Sequence, residues 1–264
     1  MLSLIIMGKF IHIIPIGLEK DRIIYLLQKF PPYRVYFLNY KSENKEESDY
    51  ASIAESVQKE IDSMIPLAEK KYLTVSYEEF EELFLKIFEI MVKEKQQGNE
   101  VIVHISPGPR IASFAAWIAA SIINSKAIYI RPAEYLPEGG KLISKGVLKV
   151  IDLFHFPITL PTNSEAIVLE YLLNHKGSMT GSLRNFVNNV GLSNLGKNVK
   201  SINSGIVKMS HSLRELKRKD YVKIKTVSRK RQNVELTDLG ELMARTCRII
   251  KVNDFDINSV KASS

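Results

Sequence analysis

Short apolar runs recur along the first 156 residues at intervals that leave room for a helix between each pair. Phe10–Ile16, Arg34–Tyr40, Tyr72–Val75, Val101–Ile105 and Lys126–Arg131 read as strands. Between them, Arg22–Phe30, Tyr50–Leu67, Tyr77–Gln97 and Ile111–Asn124 carry apolar residues at helical spacing; Ile23, Leu26, Leu27 and Phe30 are one such stripe. Strands joined through helices cannot pair as tight hairpins. They need crossovers, so the pattern predicts an α/β, Rossmann-like, mostly parallel sheet with helices on both faces. Ligands of such sheets sit beyond the carboxyl ends of the strands, where the winding reverses. Two turns suit that position: Pro15–Asp21 after the first strand and Ser106–Arg110 after the fourth. Lys41–Asp49 is polar enough for a surface loop, Asp21 is placed to cap the helix after the first strand, Glu138-Gly-Gly140 reads as a turn, and Val147–Phe156 as a last strand.

The second of those turns carries the chemistry. Ser106-Pro-Gly-Pro-Arg110 breaks a buried strand and opens a helix. A helix N-terminus gathers partial positive charge, Gly108 permits close backbone approach, Ser106 offers a hydroxyl and Arg110 a fork of donors. Together they make half a site for an anion. The same residues also allow a plain helix entry with a solvated arginine. His12 and His104 fall inside apolar strands, where a histidine is more often a satisfied interior group than an acid or base. No Gly-x-x-x-x-Gly-Lys-Ser/Thr, Gly-x-Gly-x-x-Gly or Gly-x-Ser-x-Gly motif occupies the expected places, which argues against a nucleoside triphosphatase, a dinucleotide cofactor or a serine hydrolase. No cofactor and no metal site is expected. The single cysteine, Cys247, forms no intrachain disulfide, and with no long apolar span the reading is a cytoplasmic protein without a membrane segment. Leu2–Met7 is apolar but too short to be a signal core.

Charge is unevenly distributed. From Pro161 onward there are 18 Lys/Arg against 9 Asp/Glu, whereas the preceding 160 residues hold 19 against 20. Only the C-terminal part therefore looks built to meet a polyanion. Pro157–Asn163, with two prolines and no periodicity, divides a domain over residues 1–156 from one over 164–264. In the second, Ser164 is expected to cap a helix, Ser178–Val190 and Ser201–Lys219 to be two more, Tyr221–Val227 and Asn233–Leu236 a hairpin, and Thr237–Ile250 a closing helix. That order describes a winged helix-turn-helix binding double-stranded DNA. Lys208, Ser210, His211, Arg214 and Lys217 are candidates on the third helix. Lys223, Lys225, Arg229, Lys230 and Arg231 are candidates on the hairpin.

Two segments carry a family resemblance. Leu213-Arg-Glu-Leu-Lys-Arg-Lys-Asp-Tyr-Val222 followed by Val234-Glu-Leu-Thr-Asp-Leu-Gly240 resembles the recognition helix, wing and final helix of prokaryotic winged-helix regulators. With Ser106-x-Gly-x-Arg110 after the fourth strand and Gly17 after the first, the chain looks like the CRISPR-associated Rossmann fold (CARF) regulators of archaea. The resemblance implies a homodimer that senses a cyclic oligoadenylate in a shared pocket and regulates transcription. By position, Gly17, Leu18 and Glu19 would line one loop, and Ser106, Pro107, Gly108 and Arg110 would hold phosphate and ribose. Two rival functions remain open. One is a ring nuclease using Ser106 or His104 to cleave that ligand. The other is a constitutive DNA-binding protein with a degenerate sensor.

Overall fold

The computed structural model describes residues 9–40, 45–138, 141–196 and 199–256. The chain divides into two compact units, one built on residues up to Ile158 and the other on Thr159–Asp254.

In the first unit, strands β1 (Phe10–Pro15), β2 (Arg34–Tyr40), β3 (Glu69–Val75), β4 (Glu100–His104), β5 (Lys126–Arg131) and β8 (Lys149–Asp152) form one sheet in the order β3-β2-β1-β4-β5-β8. The first five are parallel, and β8 is antiparallel to β5. The winding therefore reverses between β1 and β4, which lie side by side with Ile11 opposite Val101. Alternation then sorts the faces. Ile14, Ile16, Val35 and Phe37 pack against Ile23 and Leu27 of α1 (Lys20–Lys29) and against Ile61 of α2 (Lys45–Met64). The opposite face receives α3 (Phe80–Gln96) and α4 (Arg110–Ile123), which pack on each other. Five alanines of α4, Ala112, Ala115, Ala116, Ala119 and Ala120, are wholly buried, small enough to let the two helices approach closely.

Some boundaries differ from the sequence expectation. Lys45–Asp49 belongs to α2, which thus starts five residues before the expected Tyr50. Residues 41–44 of the expected loop, Leu2–Met7, and Gly139-Gly140 lie outside the described residues. Asp21 sits inside α1, whose cap is Glu19; the Asp21 carboxylate instead accepts the Gly146 N–H at 2.8 Å. The expected turn around residue 138 belongs to a hairpin, β6 (Glu134–Glu138) with β7 (Lys141–Lys145). The last strand is only four residues long.

The second unit runs α5 (Asn163–Asn174), β9 (Ser178–Gly181), α6 (Leu183–Val190), α7 (Ile202–Arg218), β10 (Val222–Ser228), β11 (Arg231–Leu236) and α8 (Asp238–Val252). Its three strands form an antiparallel sheet in the order β10-β11-β9. Ser178–Val190 is thus not one helix: Met179 pairs with Val234, and Ser182 caps a shorter α6 by accepting the Asn185 N–H. Thr162, not Ser164, caps α5, because Glu165 reaches back to the Thr162 N–H at 2.8 Å. Leu169 and Leu172, Phe186 and Val187, Met209, Leu213 and Leu216, and Val234 close the core from all sides.

Candidate functional site

The reversal of winding brings two turns together at the carboxyl ends of β1 and β4. A Cβ on Gly17 would stand 2.2 Å from the Gly108 nitrogen, and one on Gly108 would stand 2.9 Å from both the carbonyl oxygen and Cβ of Pro15. Only glycine fits at either position. Gly108 also has a φ of 80°, the left-handed region that other residues avoid. The two turns are therefore one structure, in which backbone touches backbone.

Ser106 is 8% exposed, and its hydroxyl accepts the Ile130 N–H in a short hydrogen bond. It extends the β4–β5 ladder by one step past His104. Ser113 of α4 donates to the Ile105 carbonyl at 2.8 Å and ties the helix to the same strand end. Pro109 opens α4. With prolines on both sides, Gly108 has the one backbone N–H between Ser106 and Arg110. Arg110 is exposed and has no hydrogen-bond or ion-pair partner among the described residues.

Arg22 went unread in the sequence, and Glu19, expected to line the first loop, was read without its inward turn. Arg22, in the first turn of α1, is 4% exposed; it donates to the Ser106 carbonyl at 3.2 Å and to the Tyr135 hydroxyl at 3.1 Å. Glu19 turns its carboxylate inward. Burial raises its pKa, while the charge of Arg22 and the N–H groups of Glu19, Gly108 and Leu18 pull it back only in part. The sequence signal was available: a carboxylate three residues before an arginine, at the start of a helix on a strand end.

His12 and His104 face each other beneath the turns, each wholly buried, with His12 Nδ1 2.7 Å from His104 Nε2. His12 Nε2 donates to the Phe30 carbonyl at 2.8 Å, so His12 Nδ1 is the acceptor and His104 Nε2 carries the hydrogen. That leaves His104 Nδ1 bare and without a partner. Burial lowers the His12 pKa to about 4 and holds that of His104 well below the usual histidine range. Both are neutral interior groups, screened from a ligand by the residues above them.

In the second unit, Lys208, His211, Arg214 and Lys217 are exposed along α7, and Lys223, Lys225, Arg229, Lys230 and Arg231 along the β10–β11 hairpin. Ser210, Arg214 and Lys217 line a groove with Leu183 of α6, Ile224 of β10 and Gln232 of β11. Lys208 and His211 lie outside that groove. Lys225 stands 3.8 Å from Glu235 across the hairpin, and Arg218 is held by Glu215 at 2.9 Å. Arg214, Lys217, Arg229, Lys230 and Arg231 have no acidic partner among the described residues. An exposed valine, Val207, continues the α7 stripe one turn before His211. Among the described residues no group of three His, Cys, Asp or Glu side chains could hold a metal ion, and no helix is long and apolar enough to cross a membrane.

Residues 10–135 match the family described as "HFX_2341_N:-like, N-terminal". No curated protein sequence matches the chain. Among solved structures, it is similar to Csm6 of Enterococcus italicus bound to cyclic hexa-2'-fluoro-hexa-dAMP, at 13% identity and TM-score 0.40, over 81% of this chain and 55% of that one. It is also similar to Can2 of Sulfobacillus thermosulfidooxidans in complex with cyclic tetra-adenylate, at 14% identity and TM-score 0.37, over 82% of this chain and 71% of that one. Protein VC1899 of Vibrio cholerae aligns at 10% identity and TM-score 0.36, over 92% of this chain and 66% of that one. The chain thus spans just over half the length of the Csm6 chain.

The packing beneath the site makes two measurable statements. Gly17→Ala should force the turns apart and lower stability by about 1–3 kcal/mol, read from urea unfolding. The histidine pair sets a pH dependence. Because the folded pKa of His12 is about 4, against an ordinary 6.5, its contribution is complete above pH 6.5 and is lost as the pH falls toward 4. Each such histidine gives a slope of about 1.4 kcal/mol per pH unit within its window. Urea midpoints should fall between about pH 7 and about pH 5, and the double variant His12→Gln/His104→Gln should flatten that fall.

Proposed function

We propose that the chain is a ligand-responsive, DNA-binding regulator. The observation that carries this reading is the unpaired cationic face of the second unit. Arg214 and Lys217 border the groove beside α7, and Arg229, Lys230 and Arg231 crowd the hairpin tip. Three helices, a three-stranded sheet whose hairpin ends in cations, and a closing helix make a winged helix-turn-helix. In that arrangement α7 enters the major groove and the hairpin meets the phosphate backbone. Lys208 and Ser210 flank His211 and Arg214 on the helix, while Lys223 and Lys225 add charge along the wing. Double-stranded DNA is the partner.

The first unit is the sensor, and its ligand is a cyclic oligoadenylate, the class implied by the sequence resemblance. Supporting this are the paired turns at the reversal of winding, the unpartnered Arg110 beside them, and the start of α4, which no side chain caps. Gly17, Leu18, Glu19, Ser106, Pro107 and Gly108 form the floor. Binding is favoured over cleavage because Ser106 and His104 are buried and already committed to hydrogen bonds inside the unit.

The sensor acts as a homodimer. One helical turn beyond Arg110, Phe114 is 56% exposed, and Phe154 and Phe156 are 89% and 56% exposed. Trp117 joins them, its ring 5.0 Å from that of Phe156 and its Nε1 donating to the Phe154 carbonyl at 3.1 Å. A second copy laid on this aromatic face would cover it and bring a second Arg110 to the same ligand.

Three measurements test these statements. Arg214→Ala should lose about 1–3 kcal/mol on its preferred operator and relax base preference there, whereas Lys230→Ala should weaken all duplexes alike and reduce the salt slope by about 1. Equal behaviour of the two variants in a salt-titrated binding assay would sink the placement of α7. Phe114→Glu should convert a dimer to a monomer by light scattering and abolish ligand binding with it. A monomeric wild type would refute the shared pocket. Calorimetric titration with cyclic tetra-adenylate should give a Kd that Arg110→Ala weakens by about tenfold or more, in line with the loss of a charge-assisted hydrogen bond.

A further inference from the structure

Charged groups are treated differently at the two ends of the sheet. At the amino ends, Glu94 is 1% exposed and fully engaged: Arg34 reaches it at 2.5 Å, the Tyr36 hydroxyl at 2.5 Å and the Asn99 amide at 2.7 Å. At the carboxyl ends, Arg22 is just as buried but incompletely satisfied. Its two terminal nitrogens are held by Ser106 and Tyr135, yet its Nε is buried with no hydrogen-bond partner. The Glu19 carboxylate feels the charge of Arg22. Its Oε2 lies 3.1 Å from the place a Gly17 Cβ would occupy, within the seam between the two turns. There the N–H groups of Leu18, Glu19 and Gly108 are near enough to favour its charged form. The single backbone donor between the two prolines is thus already faced by an acid of the chain itself.

We propose that the Glu19 carboxylate is a built-in anion occupying the place of a ligand phosphoryl oxygen, and that Arg22 is a second guanidinium of the binding site beside Arg110. The inference rests on the sensor reading above. A carboxylate oxygen and a phosphodiester oxygen use the same donors, so one substitutes for the other without rebuilding the turn. Arg22 keeps its charge at any accessible pH and is anchored through both terminal nitrogens, so it stays when the anion changes. Glu19 is only half-buried and can swing toward solvent. Burial already opposes its charged form, so less is lost when it leaves the seam. The ligand implied carries at least two anionic oxygens, one for Arg110 and one for the place Glu19 vacates.

Two probes separate a nucleotide from a bare polyphosphate: cyclic tetra-adenylate and inorganic pyrophosphate, titrated calorimetrically into the full chain. A plug that leaves the open form about one-tenth populated weakens binding about tenfold. Glu19→Gln should therefore bind one or both probes about tenfold more tightly than wild type. Glu19→Ala gives the same comparison if glutamine fills the seam too well, and urea midpoints confirm folding of each. The gain should disappear in Glu19→Gln/Arg22→Gln. A gain for pyrophosphate alone supports the plug and rejects the adenylate reading of the ligand. If Arg110→Ala weakens binding but neither Glu19 variant alters it, the sensor reading stands and the plug is refuted. A gain undiminished by loss of Arg22 overturns the second guanidinium, and no binding to any variant overturns both.

Discussion

The contact on which the first unit depends is between two glycines that have no side chains to offer. Gly17 and Gly108 approach so closely that a methyl group at either would meet main-chain atoms. Their meeting follows from topology: β1 and β4 are neighbours in space although a helix, two strands and two further helices separate them in sequence. Once the strands are paired, the turns that leave them must share the same small volume. Every polar group at this end of the sheet is then placed by reference to that seam. Arg22 reaches the Ser106 carbonyl across it, the Glu19 carboxylate lies beside Gly17 within it, and α4 begins two residues beyond it.

Beneath the seam, the sheet solves a second problem without charge. Two imidazoles side by side in an apolar layer would repel if protonated, and burial keeps both neutral. A single direction of hydrogen bonding then runs from His104 through His12 to the Phe30 carbonyl at the end of α1. The chain anchors the far end of α1 to the strands, while Arg22 anchors its beginning. The helix that carries Glu19 at its cap is therefore fixed at both ends, leaving the Glu19 side chain as the group with freedom to move.

Much of this was legible from the sequence, and the exceptions share a cause. Parallel strands buried on both faces announce themselves as continuous apolar runs, so β1, β2, β4 and β5 were found nearly to the residue, as was α4, while α2 starts five residues before and α3 three residues after the expected bound. What escaped depends on distant partners. Ser178-Met-Thr-Gly181 is a strand only because β11 lies beside it, and nothing local distinguishes it from the helix start that follows. The β6–β7 hairpin contains a proline and exposed apolar residues, Tyr135, Leu136 and Pro137, so its alternation is hidden. Ser106 looked like a ligand hydroxyl, but its partner is a strand twenty-four residues away. Arg22 drew no reading of its own, because burial of a charge is a property of the fold and not of the residue. The cationic α7 face, by contrast, was readable throughout, since exposed charge needs no partner to appear as such.

The relation between Glu19 and Arg22 bears on what kind of anion such a seam can select. A buried guanidinium cannot shed its proton, so it is stable only while some anion stays near, and the chain provides one. Under the proposal that Glu19 stands in for a ligand oxygen, binding is an exchange of one anion for another, and the electrostatic gain at Arg22 largely cancels between the two states. A monoanion has little to offer beyond what Glu19 already supplies. A ligand with several charges on a rigid frame differs, because its additional oxygens reach groups that Glu19 does not satisfy, Arg110 first among them. Selectivity then comes from the second and later contacts, while the first merely reproduces what the empty site already holds. On this view the two prolines are part of the selection. By removing all but one backbone donor from the turn, they keep it from binding small anions through its main chain, and leave recognition to side chains that only a larger ligand can span.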